Sequence, residues 1–193
     1  MTHDVYSLPP NLPVPEDDDA ADHLLGTMLP QLTLESSRGP VSLRELARDR
    51  LVLYLYPRAG RPGRPPVDGW DDIPGARGCT PQSCGFRDHA AELRAAGASA
   101  IFGLSTQTTE YQREVVERLH LPFPLLSDSH LALTRALRLP TFEFEPYEAE
   151  SSTHLKRMAL VIRDGRIEKV FYPVFPPDRN AEDVIEWLGT TPI

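Results

Sequence analysis

The sequence predicts an α/β domain, a mixed central sheet flanked by helices on both faces. Three observations carry that prediction. Residues 51–56 and 100–104 are short, continuous apolar runs, the pattern of strands buried on both sides. Segments with apolar residues at helical spacing lie between and beyond them. Near the C-terminus, residues 158–162 and 167–171 flank Asp164-Gly165, a hairpin signal that adds an antiparallel pair to the sheet.

Taken in order, residues 1–25 read as an extended N-terminal arm, stiffened by Pro9, Pro10, Pro13 and Pro15 and solvated by Glu16-Asp17-Asp18-Asp19. Residues 26–193 are the folded domain. Residues 29–34 suggest a short strand broken by Ser36-Ser37-Arg38-Gly39-Pro40. Ser42-Leu43-Arg44-Glu45 has the capping-box pattern, so a short helix starts there. The run 51–56 is a central strand that stops at Pro57. Residues 58–78 are rich in Gly, Pro and Arg and read as a long loop. Its Trp70 and Ile73 are placed to cover a pocket or to meet a partner.

Pro81 is harmless in a first helical turn, so a helix begins near Cys79 and runs through Phe86, Ala90 and Leu93 to Ala96 or Gly97. Thr108 or Thr109 caps the next helix, with Tyr111, Val115 and Val116 inward. A short strand at 125–126, a helix at 129–137 and the hairpin follow. Asn180 or Asp178 caps a last helix that buries Val184, Ile185, Trp187 and Leu188.

At 193 residues the chain fits one domain with a real core, and 40% hydrophobic residues exclude global disorder. A net charge of −8 argues against nucleic acid or an anionic membrane as the main partner. No apolar run approaches the roughly twenty residues of a membrane span. The N-terminus lacks a basic region followed by an apolar stretch, so the expected location is cytoplasmic. There, two cysteines read as reactive or metal-binding rather than as a permanent staple.

Those two cysteines, Cys79 and Cys84, stand five residues apart in Gly78-Cys79-Thr80-Pro81-Gln82-Ser83-Cys84-Gly85-Phe86-Arg87-Asp88. A thiolate is the reactive form of cysteine, and a helix N-terminus offers unpaired N–H groups and a dipole that suit an anion. A nearby arginine would add to this; Arg77, Arg87 and Arg157 are candidates. Five residues in an unbroken helix separate two positions by roughly 7.5 Å along the axis and about 140° around it. That exceeds the roughly 7 Å that a disulfide spans between Cα atoms. The two sulfurs therefore bond only if the first turn or two unwinds.

The segment 78–88 resembles the peroxiredoxins, most closely the bacterioferritin-comigratory or peroxiredoxin Q group. The likeness extends to Leu53-Tyr54-Leu55-Tyr56-Pro57, Gly103-Leu104-Ser105-Thr106, Leu125-Leu126-Ser127-Asp128 and the hairpin from Asp164, covering roughly residues 28–190. It implies a thioredoxin-like fold with a long insertion before the first active-site helix. It also implies a thiol peroxidase without metal, haem or flavin. Cys79 would be the peroxidatic cysteine and Cys84 the resolving one, joined in an intramolecular disulfide that a thioredoxin-like protein reduces. The chain would act as a monomer or weak homodimer. The family's active-site arginine matches Arg157 best, with the hairpin turn one residue shorter here; without that shift Lys156 would take the place.

Two departures stand out. The family's threonine three residues before the cysteine is Ala76, and Thr80 is the nearest hydroxyl that could serve instead. The family's proline matches Pro57, far off across the insertion, or Pro74 within it. The absent threonine admits a redox sensor or a non-catalytic binding protein as an alternative. A thiol–disulfide oxidoreductase would share the fold but normally has two residues between its cysteines. A zinc module would need Cys79, Cys84, His89 and a fourth ligand that the sequence does not supply.

Overall fold

The computed structural model describes residues 4–145 and 151–191; the first three residues of the arm and the last two of the chain fall outside that range. A seven-stranded mixed sheet has the order β2-β1-β5-β4-β3-β8-β9. Its strands are β1 (Thr33–Ser36), β2 (Val41–Ser42), β3 (Leu51–Leu55), β4 (Ala100–Ser105), β5 (Leu125–Ser127), β8 (Met158–Arg163) and β9 (Arg166–Phe171). β3, β4 and β5 run parallel, and the flanking pairs are antiparallel. A separate two-stranded sheet pairs β6 (Thr141–Glu143) with β7 (Thr153–Leu155).

β3 lies between β4 and β8, and every residue in it is buried. Successive side chains point to opposite faces. Val52, Tyr54 and Tyr56 therefore join one core layer and Leu51, Leu53 and Leu55 the other. The first layer is roofed by α2 (Cys79–Asp88), α3 (Ala90–Ala95), α4 (Thr109–Leu119) and α6 (Asn180–Thr190). The second is closed by α1 (Leu43–Leu46), α5 (Ala132–Leu137) and by Ala21 and Leu24 of the N-terminal segment. This is the mixed, doubly covered sheet expected from the apolar runs.

Several local expectations hold. Ser42 accepts from the Glu45 N–H and Thr108 from the Tyr111 N–H, so both caps form. Asp164 and Gly165 take φ of 52° and 73° between β8 and β9, as a two-residue hairpin requires.

Others need correction. Residues 36–40 do not end a lone strand; they turn the chain from β1 into β2, with Gly39 at φ 110°. The helix from Cys79 does not run unbroken to Ala96. It bends at His89 (φ −97°, ψ 10°), which lets α3 set off in a new direction against α6. The helix expected from Ser129 starts at Ala132, capped by Asp128, whose carboxylate accepts from the N–H groups of Leu133 and Thr134. Neither Asn180 nor Asp178 caps α6 through its side chain. A 3-10 turn at Pro177–Arg179 leads in instead, and Asn180 is drawn into the site described next.

Candidate active site

β3 delivers the chain to Tyr56 and Pro57, both buried, and the Arg58 N–H then points at the Cys79 sulfur, 3.3 Å away. Pro57 is therefore the proline at the site; Pro74 is exposed. Cys79 is the first residue of α2 and only 3% exposed. Gly78 precedes it at φ 107°, and a Cβ there would lie 2.4 Å from Pro177 Cγ, so backbone conformation and packing both demand glycine.

Arg157, in the two-residue link between β7 and β8, is 3% exposed and places Nη2 3.3 Å from the same sulfur. Its guanidinium also donates to the carbonyls of Gly75, Ala76 and Arg77 and to Gln82 Oε1. It thus ties the turn before the cysteine to the helix after it. Lys156 faces away and pairs with Asp18. The structure brings Arg157, not Lys156, to the thiol. Arg77 instead pairs with Asp71 and donates to the Asp4 carbonyl, and Arg87 pairs with Asp88.

Two donors, one of them charged, thus converge on the sulfur, an arrangement that favours an anionic acceptor. Ala76 offers only its carbonyl, 3.6 Å from the sulfur. Thr80 is 2% exposed and lines the cavity onto which Cys79 opens. That cavity, about 290 Å³, is walled by the insertion, by Tyr111 of α4 and by Val5 of the arm.

Cys84 lies further along the same unbroken helix, half-buried, and both cysteines are free. Burial pushes its thiol above the ordinary value, against the opposing pull of Arg87. Helix α2 is seated on β3 by Tyr54, which stacks on Phe86 at 4.4 Å and donates to Ser83 Oγ at 3.1 Å. Burial holds that phenol well above its usual range, so it remains a neutral donor.

The site roles of Gln82, Gln107 and Asn180 carry no signal in the sequence, which offers Asn180 only as a helix cap. Gln82 donates to Asn180 Oδ1 at 3.0 Å, linking Arg157 through α2 to α6. Gln107, after β4, accepts from the Ala59 N–H at 2.9 Å and donates back to its carbonyl at 3.3 Å. Tyr111 donates to that carbonyl as well, at 2.7 Å. Together they fix the residue after Arg58, and so the N–H aimed at the sulfur. An isolated Gln or Asn in a helix or turn looks like an ordinary solvent-facing amide until the fold buries it.

The insertion is anchored rather than loose. Trp70 is 6% exposed and packs against Phe142, Phe144 and His154, with ring centroids 5.8, 5.3 and 5.2 Å away. His89, the possible third ligand of a zinc module, faces Glu92 and Glu182 instead. No group of three or more His, Cys, Asp or Glu placed to hold a metal occurs among the described residues.

Residues 24–185 match the Redoxin family. Peroxiredoxin Bcp of Escherichia coli is 28% identical over 165 residues, covering 84% of this chain and 94% of that protein. The chloroplastic peroxiredoxin Q of Sedum lineare is 26% identical over 180 residues, covering 93% and 85%. Among solved structures, peroxidoxin BcpB of Mycobacterium tuberculosis superposes with a TM-score of 0.68 at 25% identity, covering 88% of this chain and 98% of that one. The chain belongs to the Redoxin family, and the relatives it resembles are peroxiredoxins of the bacterioferritin-comigratory, or peroxiredoxin Q, group.

Proposed function

We propose that the chain is a thiol-dependent peroxidase that reduces hydrogen peroxide or organic hydroperoxides through Cys79. The Cys79 thiolate attacks one oxygen of the O–O bond. An S–O bond forms, the O–O bond breaks, and the departing oxygen leaves with the electron pair and takes up a proton. The products are a sulfenic acid and water or an alcohol. Cys84 then attacks the oxidised sulfur, water leaves, and a Cys79–Cys84 disulfide remains. A dithiol protein of thioredoxin type returns two electrons and two protons by exchange. The reading needs no metal or organic cofactor. It places the protein in the reducing cytoplasm, as a monomer or weak homodimer.

The observation that carries this reading is the Cys79 sulfur, at a helix start and beside a cavity, with the Arg58 N–H and the Arg157 guanidinium each 3.3 Å away. We assign Arg157 to holding the thiolate and the developing charge on oxygen, and Thr80 to orienting peroxide in place of the hydroxyl that Ala76 lacks.

Mass spectrometry of the reduced protein after one equivalent of peroxide tests the scheme. The expected product is two mass units lighter, with the link mapped to Cys79 and Cys84. Cys79→Ser should abolish turnover, and Cys84→Ser should stop after one round with a trapped sulfenic acid. Turnover by the Cys79→Ser protein would overturn the assignment. Ala76 also favours a second reading, a redox sensor that oxidises once and hands its disulfide to a partner. Slow steady-state turnover with fast single oxidation would select it.

A further inference from the structure

Residues 4–18 run as an extended segment across the N-terminal end of α2. Val5, Leu8, Pro9, Leu12, Pro13 and Pro15 are partly buried, while Tyr6, Asn11 and Glu16 are exposed, so the segment turns its apolar side chains to the domain. Four prolines between residues 9 and 15 stiffen it, and a stiff segment loses little freedom on docking.

Both ends are tied down. At the first, Arg77 Nη2 donates to the Asp4 carbonyl at 3.1 Å, and the Tyr6 N–H closes a turn on Asp4 Oδ1 at 3.0 Å. Arg118 of α4 bonds to the Tyr6 side chain, which also lies within electrostatic reach of Arg87. At the other end Asp18 pairs with Lys156 and accepts from Tyr172. Between the two, Leu8 Cδ2 lies 2.9 Å from where a Cβ on Gly78 would stand. The segment therefore presses on the residue before Cys79. Its tip meets the same two cations, Arg87 and Arg118, whose charges oppose burial at the Cys84 thiol. One strap thus touches the surroundings of both sulfurs.

While α2 is wound, its two cysteines stand too far apart to bond. Contacts made in only one of two states shift the equilibrium toward that state. The contacts of this segment with Gly78, Arg77 and Arg118 belong to the wound state. We propose that residues 4–18 are a redox-released strap: docked, they keep α2 wound and delay the closure of Cys84 on oxidised Cys79, and the disulfide, once formed, frees them. The proposal rests on the peroxidase reading above and adds what governs its second step.

A delayed sulfenic acid has two fates. In one, the Cys84 thiolate attacks its sulfur, an S–S bond forms, the S–O bond breaks, and hydroxide leaves and takes up a proton as water. In the other, the sulfur attacks a second peroxide, gains a second oxygen as the O–O bond breaks, and becomes a sulfinic acid while water or an alcohol departs. The strap raises the share of the second.

The test uses the full chain and its Leu8→Ser/Asp18→Asn variant. Each is reduced, mixed with excess hydrogen peroxide and quenched with acid at successive times, and the sulfenic, disulfide and sulfinic forms are separated by mass. Loss of one partly buried leucine and one ion pair predicts a disulfide step about tenfold faster in the variant, with a correspondingly smaller sulfinic fraction. The first oxidation should be unchanged. An unaltered disulfide step, or a change confined to the first oxidation, would overturn the proposal.

A second measurement reads the strap directly. Chymotrypsin cleavage after Tyr6 should be about tenfold faster in the disulfide form than in the reduced chain. Diamide, which takes two electrons and two protons from a thiol pair, makes the same disulfide without peroxide. Faster cleavage after diamide, in a chain that no peroxide oxidises, would uphold the strap and sink the peroxidase. Peroxide turnover with Tyr6 equally protected in both redox states would sink the strap alone. If neither reagent joins Cys79 to Cys84, there is no opening for the strap to oppose, and the proposal falls.

Discussion

Arg157 shows what a single side chain does here. It is buried, bonded to three carbonyls of the turn before Cys79, and in contact with the sulfur. Replacing it with alanine removes a charged donor from a dry site, a loss of the order of a hundredfold in the peroxide rate constant. Stopped-flow oxidation of Arg157→Ala should show that fall, with Lys156→Ala close to the parent protein. Gly78 is the complementary case. Gly78→Ala places a Cβ against Pro177 at a backbone φ of 107°, so we expect a stability loss of about 2 kcal/mol or more in urea denaturation. Cys79 and Cys84 were legible in the sequence because their spacing at a helix start restricts what they can do. Arg157 was legible only through the family likeness, with Lys156 as the fallback; the buried partners that turn it inward were not, since adjacent residues in a link point opposite ways. The places of Gln82, Gln107 and Asn180 at the site were hidden for a related reason. A buried amide differs from a surface amide only in what surrounds it.

Helix α2 holds both cysteines on one unbroken segment, so the proposed disulfide requires its first turns to open. Local features suit that. Gly85 weakens the helix by about 1 kcal/mol relative to alanine. Pro81 has no N–H to lose in the first turn. Oxidation with one equivalent of peroxide should therefore raise the hydrogen exchange of the amides between Cys79 and Gly85 and lower far-ultraviolet helix intensity. Unchanged protection in a protein shown to carry the Cys79–Cys84 link would contradict the scheme. The insertion is the other element with a test of its own. Trp70 is its anchor in the Phe142, Phe144 and His154 cluster. Trp70→Ala should cost about 3 kcal/mol and expose residues 58–69 to limited proteolysis. Its length and composition announced a loop near the site. That it would be pinned by rings from β6 and β7 could not be read without the fold.

The N-terminal segment acts at the scale of the molecule. Val5 lies against Gly60, Leu8 against Gly78 and Pro15 against Gly75, so the segment runs along both ends of the insertion and the turn before Cys79. Asp18 pairs with Lys156 and accepts from Tyr172, fastening the segment near the Arg157 link. The hydrogen bonds from Lys156 and Tyr172 hold its carboxyl down at about 2 from an ordinary 3.8. A depressed carboxylate stabilises the fold above its unfolded value and loses that contribution as pH falls between the two. Stability should therefore decline between about pH 4 and pH 2, and Asp18→Asn should remove part of the slope, as followed by thermal unfolding across that range. Burial and Asp18 together push the Tyr172 phenol above its usual range, so it stays a donor throughout.

The sequence by itself determined the alternation of apolar runs and amphipathic segments, the Asp-Gly hairpin and the paired cysteines, because each depends on neighbours a few residues away. From these followed the doubly covered sheet and a redox reading of Cys79. Tertiary structure alone decided that Pro57 is buried and Pro74 exposed, which partners turn Arg157 onto the sulfur, where the helix after Cys84 bends, and what the insertion encloses. Those depend on contacts between segments tens of residues apart: Arg58 and Arg157 reach one atom only after β3 and β8 have paired side by side.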